Sequence, residues 1–266
     1  MLFARERSGV FEPRCGAARE LAGIGARDVL LEFLAGDREI SDPVERLGEE
    51  AVINTAARAL GTVKSDGEYE LLVNLLRRRP LAGVIEVLGE LRRPEILPIL
   101  IDALNEDFSR SAAEDALRKL GVRAGPALCE TALRQTLSAD YESPSSVRRR
   151  RSALGLLGEM KLAPSFWERL APLVFDPHAT IAAIASGIAL SFGPVTQKHS
   201  AVEQLVALLA TADSFLCREI EGCLVEHFAV AKATIEEALS AMPDQPQDFN
   251  RRRDCVLARV LARAHG

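Results

Sequence analysis

This chain has few of the residues from which reactive or metal-binding sites are usually built. Aromatic residues make up 5% of its 266 residues, with one tryptophan, and there are only four histidines and five cysteines. No apolar run approaches the roughly eighteen residues that span a bilayer, which argues against a transmembrane helix. The first residues carry charge too early for the apolar core of a signal peptide. We therefore predict a cytoplasmic protein without a membrane partner.

The cysteines and histidines do not form the patterns typical of metal sites. No Cys-x-x-Cys occurs, and the six-residue spacing of Cys217 and Cys223 places them about 240° apart around a helix. No two histidines lie one helical turn apart, and no His-Glu-x-x-His is present. An odd number of cysteines, mostly within apolar helical stripes, is typical of reduced and buried thiols. We predict no metal site, no disulfide and no cofactor.

Motifs for catalysis are also missing from the sequence. Residues 23–28 begin like a dinucleotide-binding loop, but they lack the third glycine and a preceding strand, so we interpret them as a turn between helices. No phosphate-binding loop and no Gly-x-Ser-x-Gly elbow occurs. The net charge of −5 argues against indiscriminate binding of polyanions. We therefore predict a non-enzymatic protein without catalytic residues.

A six-residue motif, here called the phrase, recurs along the chain. It consists of two apolar residues, two spacer residues, a large apolar residue and then glycine. Clear copies occupy residues 56–61, 84–89, 116–121, 153–158 and 188–193, and looser copies occupy 20–25 and 224–229. Successive glycines of this series are 28 to 37 residues apart. That spacing is typical of a two-helix repeat.

Each copy of the phrase predicts the end of a helix. The positions one and four residues before the glycine lie on one helical face, and they are apolar in every copy. Glycine suits a helix C-cap because the left-handed conformation there is costly for any side chain. We therefore predict that the first helix of each unit ends at one of six glycines: Gly25, Gly61, Gly89, Gly121, Gly158 and Gly193.

A second amphipathic stretch follows the glycine in each unit. Examples are residues 68–76, 94–104, 166–174 and 200–209. Pro94, Pro126 and Pro164 fall near the beginnings of such stretches, where a missing backbone donor costs little. One helical hairpin cannot bury its apolar face alone, so neighbouring hairpins must stack. The sequence therefore predicts an all-α fold, an α-solenoid that forms a single domain over residues 1–266.

The units resemble the HEAT-repeat family. Its short bacterial form, named for phycobilisome lyases, reads Asp-Pro, then arginine, then paired alanines and Leu-Gly, and residues 42–61 and 176–193 approximate that pattern. The resemblance covers roughly residues 14–264. It implies a right-handed superhelix of about seven hairpins with a closing helix near 249–264, and residues 1–13 are expected to be loosely ordered. Family members serve as scaffolds, adaptors, lyases and, in one branch, DNA glycosylases.

Second helices laid side by side would form a continuous surface that can hold a segment of another protein. We therefore predict a protein-binding scaffold or adaptor that uses this surface. The candidate contacts are the polar positions out of phase with the apolar stripe: Asn74, Arg77, Asp102, Glu130, Arg134, Arg169 and Gln204.

Arginines are clustered despite the acidic balance. The cluster at 77–79 ends a helix, where the helix dipole favours cations. Two other clusters lie at helix starts, where the dipole opposes them, so an acidic group nearby or on an anionic partner is expected to compensate. Their members are Arg148, Arg149, Arg150, Arg151, Arg251, Arg252 and Arg253. The polar inter-helix loop at 138–146 is either a surface loop or an acidic and aromatic cover for the first of these clusters.

Alternatives to the adaptor stay open. A phycobilin-lyase-like or chaperone-like factor would hold a bilin or a protein that carries a prosthetic group. A nucleic-acid-binding protein, or a HEAT-like DNA glycosylase, would use the arginine clusters together with aromatic residues and an acid. The spacing of Trp167 from Leu170 and Val174 is that of a helix core, which disfavours a base-stacking tryptophan.

Overall fold

The computed structural model describes residues 1–3, 11–36, 40–138, 141–160, 164–240 and 248–264. The side chains at 164, 165 and 248–251 are not part of that description, and His265 lies outside it.

The described chain is almost entirely helical, which confirms the all-α prediction. Its helices are α1 Phe11–Gly23, α2 Arg27–Ala35, α3 Pro43–Leu60, α4 Asp66–Arg78, α5 Ala82–Gly89, α6 Leu97–Ala103, α7 Arg110–Leu120, α8 Gly125–Leu133, α9 Pro144–Glu159, α10 Pro164–Leu170, α11 Ala179–Phe192, α12 Val195–Leu208, α13 Ser214–Glu226, α14 Phe228–Ser240 and α15 Asp248–Ala264. Short 3₁₀ turns cover Pro94–Ile96, Gly121–Ala124 and Ala171–Phe175. Strands β1 Leu137–Ser138 and β2 Tyr141–Glu142 form an antiparallel pair, with Leu137 opposite Glu142.

Local sequence explains where α3 begins and ends. The Oδ1 atom of Asp42 accepts hydrogen bonds from the backbone N–H groups of Val44 and Glu45, both at 2.9 Å. Pro43 occupies the first turn, where its missing N–H leaves no intrahelical bond unmade. At the other end Gly61 has a φ of 69°, a conformation that glycine adopts without strain.

The predicted glycine C-caps are correct in part. Gly25, Gly61 and Gly121 have positive φ after their helices. Gly89 is the last residue of α5 and Gly193 caps α11, but neither has a positive φ, and Gly158 lies one residue before the end of α9. At position 89 packing explains the glycine, because a Cβ atom there would lie 2.8 Å from the Cβ atom of Ala116.

Contacts divide the chain into two compact units, residues 1–127 and 128–266, where the sequence predicts one domain. In the first unit α1 packs on α3, α3 on α5, and α5 on α7. Helix α2 packs on α4, and α6 packs on α7. The buried face of the repeated phrase, for example Leu60, Ile85 and Leu117, supplies the core of this arrangement. We call the odd-numbered helices first helices and the even-numbered ones second helices.

The start of the chain contributes to the first unit. Leu2 is buried, and its carbonyl oxygen accepts a 2.8 Å hydrogen bond from Nε of Arg14. Nη1 of Arg14 lies 2.6 Å from Oε2 of the buried Glu49. Leu2 is therefore packed against α1, whereas Met1 and Phe3 are exposed. Residues 4–10 of the segment expected to be loosely ordered lie outside the described part of the chain.

The second unit repeats the same packing rule. Helix α9 packs on α11, α11 contacts α13, and α13 packs on α15. Helix α12 packs on α11 and on α14. Trp167 belongs to the core, as its spacing predicts: it is 3% exposed, and its indole N–H donates to Oε1 of Gln197. None of the helices in the described ranges combines the length and the apolarity that crossing a membrane requires.

Candidate functional site

An open groove lies on the first helices of the second unit. It has a volume of about 530 Å³ and is lined by residues of α9, α11 and α13, with Leu205 of α12 beneath. We call it the α11 groove. Leu154, Ile188, Leu205 and Ile220 lie beneath its floor and are at least 95% buried, and the apolar surface that a ligand can reach comes from Ile184 and Phe192, which are partly exposed. Its volume falls within the range of small-molecule binding pockets.

Glycines open the α11 groove. Gly155, Gly187 and Gly222 each lie inside a helix, where glycine costs about 0.5–1 kcal/mol relative to alanine. A Cβ atom at Gly155 or Gly222 would meet no other atom within 4 Å, so both positions face open space. At Gly187 a Cβ atom would lie 3.4 Å from Sγ of Cys223. The missing side chains at 155 and 222 leave the space that forms the groove.

The reactive groups in the groove are poorly suited to catalysis. Burial raises the pKa of the Cys223 thiol to about 12, and the Glu226 carboxylate adds to this rise. The thiol is therefore protonated at neutral pH and is a weak nucleophile. Oγ of Ser191 donates to the carbonyl oxygen of Gly187 and lies 3.4 Å from Nε2 of His227. Within the described ranges, no cluster of three His, Cys, Asp or Glu side chains has an arrangement that holds a metal ion.

Charged side chains from α13 surround the apolar floor. Arg218, Glu219 and Glu226 are exposed groove residues. Glu219 pairs with Arg151 of α9, whose Nη2 lies 2.9 Å from Oε1. The guanidinium of Arg151 also stacks over the ring of Phe215, 5.3 Å from the ring centroid.

Helix α13 is fixed from its opposite face by α15. Glu221 is 3% exposed, and its carboxylate receives Nη2 of Arg259 at 2.8 Å and Nη1 of Arg263 at 2.9 Å. The hydrogen bond from Arg259 lowers the pKa of Glu221, with smaller Coulombic contributions from both arginines. One face of α13 is therefore tied to α15 while the other lines the groove.

Six of the seven candidate contacts predicted from the sequence lie on even-numbered helices, and Arg134 lies just after one. Asn74 and Arg77 are on α4, and Arg77 donates to Asn74 at 2.9 Å. Glu130 on α8 accepts from Arg169 on α10. The remaining three are Asp102 on α6, Arg134 just after α8, and Gln204 on α12, of which only Gln204 is not fully exposed. The structure thus joins two pairs of these residues.

Arg150, nominated for an anionic partner, is bound within the protein. Its side chain is fully buried, Nε donates to the carbonyl oxygen of Ala132 at 2.8 Å, and Nη1 lies 2.6 Å from Oε2 of Glu142. Nη2 binds the carboxylate of Asp176. Helix α9 begins at Pro144, so Arg150 lies in its second turn and not at its start, where the sequence predicts it. The acidic compensation for its charge is internal, and part of it comes from Glu142 in the polar segment 138–146.

The other arginines of the two clusters differ in exposure. Arg148 and Arg149 are half-buried, and Arg149 donates to the carbonyl oxygen of Arg134 and to Thr136, both at 3.1 Å. Arg252 donates to the carbonyl oxygen of Ala212 at 3.1 Å, and Arg253 pairs with its neighbour Asp254 at 2.9 Å. The side chain of Arg251 lies outside the described residues. Intramolecular bonds thus account for much of this positive charge.

Sequence reasoning missed the α11 groove because it searched the second helices for contacts. The available signal was the set of glycines within α9, α11 and α13, which interrupt helices that otherwise contain good helix formers. A glycine retained inside a helix indicates close approach or open space, but the sequence does not say which.

Comparison with known proteins does not identify the chain. No family model matches its sequence, and no curated protein matches it either. The resemblance to HEAT repeats therefore stays a prediction, and a function must be argued from the site itself.

Proposed function

We propose that this protein is a non-enzymatic scaffold that binds another protein in the α11 groove. The observation that carries the proposal is the groove itself, which is open at glycines 155 and 222, where an added Cβ atom would meet no other atom within 4 Å. Glycines inside helices lower helix stability, and at these two positions no neighbouring atom packs into the space that they leave. A bound partner would supply the missing contacts.

The chemistry of the lining supports binding over catalysis. The thiol of Cys223 has a raised pKa, and the Ser191 hydroxyl donates to the carbonyl oxygen of Gly187 and lies 3.4 Å from the His227 ring. A protein-binding groove, in contrast, needs an apolar centre and a polar rim. Ile184 and Phe192 provide the former, and Arg218 and Glu226 provide part of the latter.

We also propose that the two units continue one right-handed HEAT-like solenoid of about seven hairpins with α15 as its closing helix. In support, first helices pack on first helices within each unit, and α12 packs on α14 in the same manner. Small-angle X-ray scattering tests this. A solenoid requires a radius of gyration clearly above the roughly 18 Å expected for a globule of this length, and a value near 18 Å would contradict it.

Filling the groove tests the proposed function. The double variant Gly155→Leu, Gly222→Leu places side chains in the open space, and Gly16→Leu is the matched control because a Cβ atom in α1 at position 16 also meets no atom within 4 Å. Each protein is used as tagged bait in extracts of the native host. A partner retained by the wild type and Gly16→Leu but lost from the double variant supports the proposal. Equal retention by all three contradicts it.

The second helices provide the competing surface. Charge reversal at Asp102 and Arg134 together changes two of its exposed candidates without entering the α11 groove. If this variant loses the partner and the groove-filled variant keeps it, the partner binds along the second helices. Nucleic acid as the main bound species, released by added salt, would instead favour the arginine-cluster alternative.

A further inference from the structure

Two opposite charges at the α11 groove are left without an ion pair among the described residues. Arg218 and Glu226 are both exposed groove residues of α13. Their neighbour Glu219 differs, because it is neutralised by Arg151 at 2.9 Å. The groove therefore presents one unmatched cation and one unmatched anion beside its apolar floor.

The two charges are separated along one helix. Positions 218 and 226 of α13 are eight residues apart, which corresponds to about 12 Å along the helix axis. The partly exposed apolar residues Ile184 and Phe192 lie in the same groove. A ligand that covers the floor and reaches both charges must therefore be elongated, apolar in its middle and of opposite charge at its two ends.

An amphipathic helix fits these requirements better than an extended segment. An extended peptide gains affinity by adding to an open sheet edge, whereas the walls of this groove are helices whose backbone groups are already bonded. A helix docks instead through side chains at i, i+3, i+4 and i+7. The absent side chains at Gly155 and Gly222 leave room for such a helix to approach.

We infer that the α11 groove binds an amphipathic helix of a partner protein that carries an acidic residue and a basic residue seven or eight positions apart. The acidic residue pairs with Arg218 and the basic residue pairs with Glu226, while the apolar face between them covers the groove floor. This inference rests on the proposed function and adds the chemistry of the partner to it.

Three synthetic helical peptides test the inference. All have the same apolar face and differ only at two flanking positions eight residues apart, which carry Glu and Lys, two Glu, or two Lys. A helix can enter the groove in either direction, so the order of the charges is immaterial and only their signs matter. Binding to the full chain is measured by fluorescence anisotropy at low salt. We expect the mixed peptide to bind roughly two- to five-fold more tightly than either like-charged peptide, as exposed ion pairs allow.

Reversing the charge at position 218 or at position 226 of the protein should change which peptide binds most tightly. Arg218→Glu should favour the peptide with two Lys, and Glu226→Lys should favour the peptide with two Glu. Arg46→Glu, at an exposed position of α3, is the matched control and should keep the preference for the mixed peptide. Weak binding of all three peptides by the wild type, or an order of affinities that the variants do not change, would overturn the inference.

The native partner separates failure of this inference from failure of the proposed function. A partner lost from the groove-filled variant but retained equally by Arg218→Glu and Glu226→Lys would leave the function standing and overturn the charge pattern. A partner that the double variant Gly155→Leu, Gly222→Leu retains as well as the wild type does would overturn both the proposed function and this inference.

Discussion

Glu221 of α13 accepts a hydrogen bond from Arg259 of α15, with 2.8 Å between Oε2 and Nη2. The pair joins the last helix to the helix that forms one wall of the α11 groove. Its carboxylate is buried while the guanidinium of Arg259 is half-exposed. This arrangement makes the carboxylate the more sensitive partner, because a buried charge depends on the bonds it makes.

Glu221→Gln should therefore lower the free energy of unfolding by about 1–2 kcal/mol, since it weakens charge-assisted bonds at a buried site. Urea unfolding at neutral pH measures this. Glu219→Gln is the control: its ion pair with Arg151 is exposed on both sides and should change stability by less than about 1 kcal/mol. Equal effects of the two variants would show that Glu221 does not fix α13 to α15.

The lowered pKa of Glu68 should make the stability of the first unit depend on pH. Its carboxylate accepts from Nη2 of Arg27 and from the backbone N–H of Lys64, both at 2.6 Å, and chiefly the bond from Arg27 lowers its pKa to about 2. In the unfolded chain the pKa returns to about 4.3. The stabilisation is therefore complete above about pH 4.3 and is lost as the pH falls toward 2.

Glu68→Gln should be less stable than the wild type at neutral pH, and the difference should shrink between about pH 4.3 and 2. Chemical unfolding across this range measures the convergence. Glu70→Gln, an exposed neighbour on α4, should follow the wild-type curve. Parallel curves for Glu68→Gln and the wild type would contradict the assignment.

Arg150 should act as a structural residue. Arg150→Met leaves the carboxylates of Glu142 and Asp176 without their buried cation, so we expect a loss of about 3–5 kcal/mol in unfolding free energy. Arg151→Met removes an exposed charge and should cost less than about 1 kcal/mol. A stable Arg150→Met protein with weakened binding to an anionic partner would reverse this interpretation.

Substitution of glycines should distinguish positions that face open space from positions that are closely packed. Gly155→Ala and Gly222→Ala add a Cβ atom that meets no atom within 4 Å, so each should stabilise the protein by about 0.5–1 kcal/mol. Gly83→Ala should destabilise it, because its Cβ atom would lie 2.3 Å from the backbone oxygen of Asn54. Thermal melting of the three variants measures the signs, and a uniform sign would contradict the packing.

Much of the fold was predictable from local pattern. Apolar positions one and four residues before each glycine define a helical face without any knowledge of its partner, and Asp42 with Pro43 marks a helix start within a few residues of sequence. The same logic places Trp167 in the core. Helix-forming signals are short-range, so one sequence contains them in full.

The candidate site was less predictable because its properties depend on long-range contacts. Arg150 meets Asp176 across 26 residues of sequence, so its neutralisation cannot be read from the arginine cluster alone. Gly155 and Gly222 likewise have the same local appearance as a closely packed glycine such as Gly83. Whether a missing side chain leaves a groove or admits a neighbour is decided by the packing of other helices.

The most direct test of the central claim is photo-crosslinking from the rim of the α11 groove. A benzophenone analogue of phenylalanine replaces Phe192, which lines the groove, or Phe108, an exposed phenylalanine outside it, and both proteins are irradiated in the native host. The account predicts one partner protein crosslinked at 192 and not at 108, and loss of that crosslink when Gly155→Leu and Gly222→Leu are added. Crosslinking of the co-purifying partner at 108 alone, or a crosslink at 192 that survives the filled groove, would contradict it.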